Sequence, residues 1–173
     1  LDKFPDSERF KVLKTINIQT DTLDNQLKKN NIAEIDCVKI DTQGYELPIL
    51  NGSVSSLKNA VGLDVEVEFA PLYKNQPLFN EVDSFAREMN FELFDIKRYF
   101  WKRNIINNKG RGKGQLVFGD ALYFKSPEQV VNGDKIQANS LPRRNWILTA
   151  GHPHKSFVNI IDTHKPVTCC YCK

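Results

Sequence analysis

At 173 residues, with 40% hydrophobic and 26% charged side chains, the chain is sized for one domain and carries enough apolar material for a sizeable core. That composition excludes wholesale disorder, a collagen-like repeat and a disulfide scaffold. No apolar run approaches the roughly 18–20 residues that cross a bilayer, and LDKFPDSERF lacks a signal-peptide layout, so a cytoplasmic protein without a membrane partner is expected. The net charge of +3 is unevenly spread: Lys97, Arg98, Lys102, Arg103, Lys109, Arg111 and Lys113 stand together with no acid between them, which leaves the rest of the chain net negative.

In chain order, FKVLKTINI is β-branched and alternating enough to predict a strand. Thr22 or an adjacent Asp then caps a helix over TLDNQLKKNN. IDCVKID reads as a strand buried on both faces, as in a parallel sheet. TQGYE turns into a helix over LPILNGSVSSLKN, with Pro48 in its first turn. VGLDVEVEFA is a second buried strand, and NEVDSFAREMN an amphipathic helix with Val82, Phe85, Ala86 and Met89 on one side. FELFDIKRYF predicts a third strand, the basic segment a loop, and QLVFGDALYFK a fourth strand. That last strand is expected to run antiparallel at an edge, because no helix separates it from the third. Residues 1–126 thus form an α/β unit, and 127–173 an irregular extension with a short strand at FVNIID.

Ligands of open parallel α/β sheets bind outside the carboxyl ends of the strands. That rule selects Asp41, Thr42, Gln43, Gly44 and Glu46 after the first central strand, Glu68, Pro71 and Tyr73 after the second, and Gln115 to Asp120 at the start of the fourth. The acids Asp41, Glu46, Glu68 and Asp120 are expected to converge there, as a general base, a partner for a cofactor amine or ligands to a cation. Plainer readings stand beside these. Asp41 and Gln43 before Gly44 suit a turn, Asp120 suits a strand start, and Glu66 and Glu68 would repel on one face unless one is bonded. GRGKGQ precedes a strand rather than opening a helix, which makes it a poor phosphate cradle.

The stretches VKIDTQGYELPILNG, VEVEFAPLYKNQPLFNEVDSFAREMNFELFD and QLVFGDALYFK, with the T-L-D at Thr22 to Asp24, closely resemble the carboxyl-terminal half of the FkbM-family methyltransferases. The resemblance runs from about Val12 to Lys125. It implies a Rossmann-like class I sheet and S-adenosylmethionine-dependent O-methylation of a hydroxyl on a sugar, glycan or similar small molecule. Asp41, Thr42 and Gln43 would lie at the cofactor, and Asp41 or Glu68 would act as base. Glu46, Tyr73, Gln76, Gln115 and Asp120 would face the acceptor, Glu46 and Asp120 holding its hydroxyls or ordering the turn, and Tyr73 and Gln76 through the family's P-L-Y-x-x-Q-P segment. The family's glycine-rich loop and the acid after its second strand are not among these residues, so the amino-terminal cofactor-binding half is expected to belong to a longer enzyme, and this chain alone to be inactive.

The basic loop, with Tyr99, Phe100 and Trp101, would cover the acceptor and suggests an anionic one. The rival reading is a non-catalytic Rossmann-like module that recognises nucleic acid or an acidic partner through residues 97–113. A further rival places magnesium between Asp41 and Glu68. His152, His154, His164, Cys169, Cys170 and Cys172 offer zinc-ligand types in a spacing that matches no zinc pattern, so no metal is assigned.

Overall fold

The computed structural model describes residues 3–4, 12–104 and 112–132. They form a mixed α/β unit with one four-stranded sheet in the order β1-β2-β4-β3. The elements are α1 Leu23–Lys29, β1 Cys37–Ile40, α2 Glu46–Asn51, α3 Val54–Leu57, β2 Gly62–Glu68, α4 Phe79–Glu88, β3 Glu92–Trp101, β4 Gln115–Phe124 and α5 Pro127–Asn132. Among the described residues no helix is long and apolar enough to cross a membrane.

β1 and β2 are parallel, with Ile40 opposite Val65, and α2 and α3 form the crossover such a pair requires. The expected single helix breaks in two at Gly52 and Ser53. The Gly52 N–H closes back on the Pro48 and Ile49 carbonyls, and the buried Ser53 hydroxyl donates to the Ile49 carbonyl at 2.6 Å. Asp24 fixes the second piece: its carboxylate accepts the Ser55 and Ser56 N–H groups at 2.9 and 2.8 Å. Thr22 caps α1 through the Asn25 N–H at 3.2 Å, so the T-L-D motif acts here as a staple between helices.

Strand residues alternate between faces. Val38, Ile40, Leu63, Val65, Val67, Ala121 and Tyr123 point to one face and join Leu27, Leu50, Leu57, Val82 and Ala86 of the helices in a single core. Phe85 and Met89 of α4 pack at its margin. The opposite face carries Lys39, Asp64, Glu66, Glu68 and Asp120.

Three expectations are corrected. No strand forms over residues 12–18, although the pattern is β-like: Leu13 is 90% exposed, and no described strand pairs with this segment. Alternation makes a strand only where a sheet edge takes it up. The fourth strand is antiparallel as expected but lies inside the sheet, between β2 and β3, and β3 is the edge. Burial explains the order, because Val117, Gly119, Ala121 and Tyr123 of β4 need cover on both sides. β3 has no buried residue, is rich in charge and is twice irregular in register, all features that protect an edge. Finally, the basic segment read as a loop over residues 97–113 starts inside the third strand, since β3 runs through Trp101. Residues 105–111 of the basic segment and the His/Cys tail with FVNIID lie outside the described residues, and the extension read as irregular opens with the helix α5.

Candidate active site

β3 runs parallel to β2, since both are antiparallel to β4, so β1, β2 and β3 all end on one side of the sheet. The turn after β1 is shaped by two positive-φ residues, Gln43 at 59° and Gly44 at 103°. Glu46, the first residue of α2, reaches back into this turn. Its Oε1 accepts the Thr42 N–H at 2.9 Å, the Thr42 hydroxyl at 3.0 Å and the Gly44 N–H at 3.1 Å. Thr42 and Glu46 are therefore occupied with each other: Thr42 faces inward and Glu46 is only 2% exposed. Gln43 does the opposite work, and its amide bridges Asp41 Oδ1 at 3.1 Å and Glu66 Oε2 at 2.7 Å.

Glu66 and Glu68 follow on β2, 7% and 2% exposed, and carboxyl oxygens of Glu46, Glu66 and Glu68 lie within 4.8 Å of one another. Burial pushes Glu66 up to about 8, reinforced by the charges of Asp41, Glu46 and Asp120 and opposed by the Gln43 hydrogen bond. Burial likewise pushes Glu68 up to about 9, reinforced by Glu46, Glu66 and Asp41 and opposed by the nearby Gln76 amide. Burial also raises Glu46, against the hydrogen bonds from Gly44 and Thr42. Glu66 and Glu68 thus hold their protons at neutral pH. Glu46 Oε1 already has three donors, which leaves Glu66 and Glu68 as the carboxyls that could hold a cation by giving up their protons.

Asp41 is exposed, with the Gln43 amide as its neighbour. Asp120 stands opposite Glu66 across the β2–β4 register and accepts the Tyr99 hydroxyl at 3.1 Å. Burial raises Asp64, although its ion pair with Lys39 at 3.3 Å pulls the other way. Gln76 is 8% exposed, and its carbonyl oxygen accepts the Leu72 and Tyr73 N–H groups at 2.9 and 3.0 Å, so this side chain braces the loop after β2. Gln115 sits further along the same sheet end, accepting from Arg103 at 2.7 Å.

The four acids selected from sequence do gather, but around Glu66. The repeat of acids at positions 64, 66 and 68 put Glu66 on the Glu68 face, and only the β2–β4 register shows it opposite Asp120. Tyr99 and Trp101 of the basic segment are engaged with aromatic residues outside it. Tyr99 stacks on Phe118 with ring centres 4.6 Å apart, and Trp101 meets Phe4 and Phe118 edge-on.

The family model described as the methyltransferase FkbM domain matches residues 2–93, just over half of the chain. The chain belongs to the FkbM methyltransferase family. The FkbM match takes in the T-L-D staple, the Asp41–Glu46 turn, Glu66, Glu68 and the Gln76 loop, while β4 with Asp120 lies beyond it. No curated protein and no solved structure shows a match to the chain.

Proposed function

We propose that residues 1–126 are the carboxyl-terminal part of a Rossmann-like class I methyltransferase sheet, with 127–173 as an extension, and that the acidic crevice serves S-adenosylmethionine-dependent O-methylation of a sugar or similar hydroxyl compound. One observation carries the reading: an exposed carboxylate, Asp41, stands at the end of a parallel strand beside buried acids, in a chain of a methyltransferase family. S-adenosylmethionine would supply a methyl group activated on a positively charged sulfur. A cationic group suits the donor set here, since Asp41, Glu66, Glu68 and Asp120 present acceptors, and Asp41 with Gln43 would hold it from the exposed side.

The residues then divide the proton work. Glu68 holds its proton at neutral pH, which suits it to donate a hydrogen bond rather than to act as base. Asp41 is reachable and takes the role of proton acceptor for the acceptor hydroxyl. Asp120 and Tyr73 flank the acceptor side. Lys97, Arg98, Lys102, Arg103 and Lys113 stand on β3 or follow its end at the same side of the sheet, which favours an anionic acceptor.

The test is calorimetric titration of S-adenosylmethionine and S-adenosylhomocysteine, at pH 6.5 and pH 9, into this chain and into the longest product of its gene. The two ligands share their amino group and differ in the sulfur charge, so their affinity ratio isolates the crevice acids. Ionisation of Glu66 and Glu68 should favour the cationic ligand by about tenfold on going to pH 9. A ratio that does not move, or no binding of either ligand to either protein, would overturn the reading.

A further inference from the structure

Two loops frame the crevice, the turn of residues 41–45 after β1 and the loop of residues 71–75 after β2, and one side chain touches both. The Gln76 carbonyl oxygen takes two backbone N–H groups of the second loop, from Leu72 and Tyr73. Its amide nitrogen lies against Gly44 of the first: a Cβ at Gly44 would stand 2.7 Å from Gln76 Nε2 and 3.1 Å from its carboxamide carbon. A glycine is thus required there twice over, for the positive φ and for this contact. Gln76 Nε2 is fully enclosed and makes no hydrogen bond of good geometry, an uncommon state for a buried donor. Glu68, at the end of β2, is the acid of the cluster on which the Gln76 side chain acts as a hydrogen-bonding neighbour.

We propose that Gln76 is a positioning residue that latches the loop after β2 onto the Gly44 turn and aims its amide N–H at the Glu68 carboxyl, tying the shape of the crevice to that carboxyl's proton. The idea rests on the crevice being the working site, and it assigns Gln76 a role inside the wall instead of direct contact with the acceptor. The groups facing Glu68 are Glu46 at the start of α2, Glu66 on β2 and Asp41 after β1, all acidic, so Gln76 is the neighbour that works in the other direction. When Glu68 ionises, the N–H meets a charged and therefore stronger acceptor and the latch tightens. When Glu68 is protonated, only a neutral acceptor remains and the carbonyl half carries most of the hold.

Two variants separate the halves of the carboxamide. Gln76→Glu keeps the acceptor oxygen and the volume but removes the N–H; Gln76→Met removes both. The readouts are amide hydrogen exchange at Leu72 and Tyr73 and the titration of the Glu68 carboxyl carbon followed by NMR in the labelled chain. Exchange at Leu72 and Tyr73 should stay within about threefold of wild type in Gln76→Glu and quicken by about tenfold or more in Gln76→Met. The Glu68 midpoint should rise in Gln76→Met, which adds no carboxyl; in Gln76→Glu the new acid raises it by charge as well. An unmoved midpoint in Gln76→Met would reduce Gln76 to a loop staple and overturn the proposal, as would loss of protection in Gln76→Glu. Should Gln76→Met fail to fold, an unmoved midpoint in Gln76→Glu overturns the proposal, and unprotected Leu72 and Tyr73 amides in the wild type would overturn the latch without any variant. Neither readout needs cofactor, so failure here is distinguishable from a failure of the calorimetry, which would instead count against the methyltransferase reading.

Discussion

On β2, Val65 and Val67 are fully buried, and Glu66 and Glu68 between and beside them are nearly so, at 7% and 2% exposed. The same backbone therefore offers the same degree of burial to opposite chemistries. Towards the helices, each buried valine stabilises the fold by roughly 1.5–3 kcal/mol. On the other face, burial works against the charged forms of Asp64, Glu66 and Glu68, and the fold keeps Glu66 and Glu68 there by leaving protons on them. One face of the strand builds the domain. The other tolerates a cost that the core does not need, as expected where perturbed acids serve chemistry.

Moving an acid across the strand breaks the comparison most severely. Val65→Asp places a carboxyl among Val38, Leu50 and Ala121, where none of the donors that surround Glu66 exist. It should cost more than about 4 kcal/mol and leave the domain largely unfolded. Urea denaturation followed by circular dichroism measures it, and a loss under about 1 kcal/mol would mean that the two faces do not differ in the way argued.

This difference bears on what could be read from sequence. Elements whose pattern reflects burial were legible: β1, β2 and α4 follow from where apolar residues fall, and the antiparallel sense of β4 from the lack of a helix between it and β3. The order of β4 and β3 was not, because a strand's place in a sheet depends on which neighbour covers it. The run at residues 12–18 shows the converse, a β-like pattern without a partner edge. At the site, the strand-end rule found Asp41, Glu46, Glu68 and Asp120, yet their division of labour was hidden. Which acid faces solvent and which donates, accepts or holds a turn is set by partners distant in sequence, Gln43 for Glu66 and Gln76 beside Glu68.

A second prediction sharpens the comparison by pH. Glu66 and Glu68 bind their protons more tightly folded than unfolded, so the unfolded state carries fewer protons between about pH 4.5 and 9 and stability falls as pH rises through that window. Glu68→Gln mimics the protonated form. It should raise stability by about 2 kcal/mol at pH 6 and by about 3–4 kcal/mol more at pH 9. Denaturation midpoints at both pH values decide it. Equal effects at the two would show that Glu68 is already ionised in the folded chain at neutral pH.

The smallest expected effect comes from the contrasting carboxylate, Asp24. Burial pulls its pKa upward, but hydrogen bonds from Ser56 and Ser55 outweigh that and hold it below the ordinary carboxylate value. Its contribution is therefore present above the unfolded value near 3.8 and is lost as pH falls through the lower folded one, the reverse of Glu68. Asp24→Asn keeps one acceptor oxygen and removes the charge, so it should cost about 1 kcal/mol at neutral pH. That cost should shrink towards pH 3, while the decline of stability between pH 7 and 9 stays as in the wild type. A decline that flattened in Asp24→Asn would place the alkaline sensitivity in the helix staple rather than in the crevice, because Asp24 and the β2 acids share no hydrogen-bond partner and should act independently.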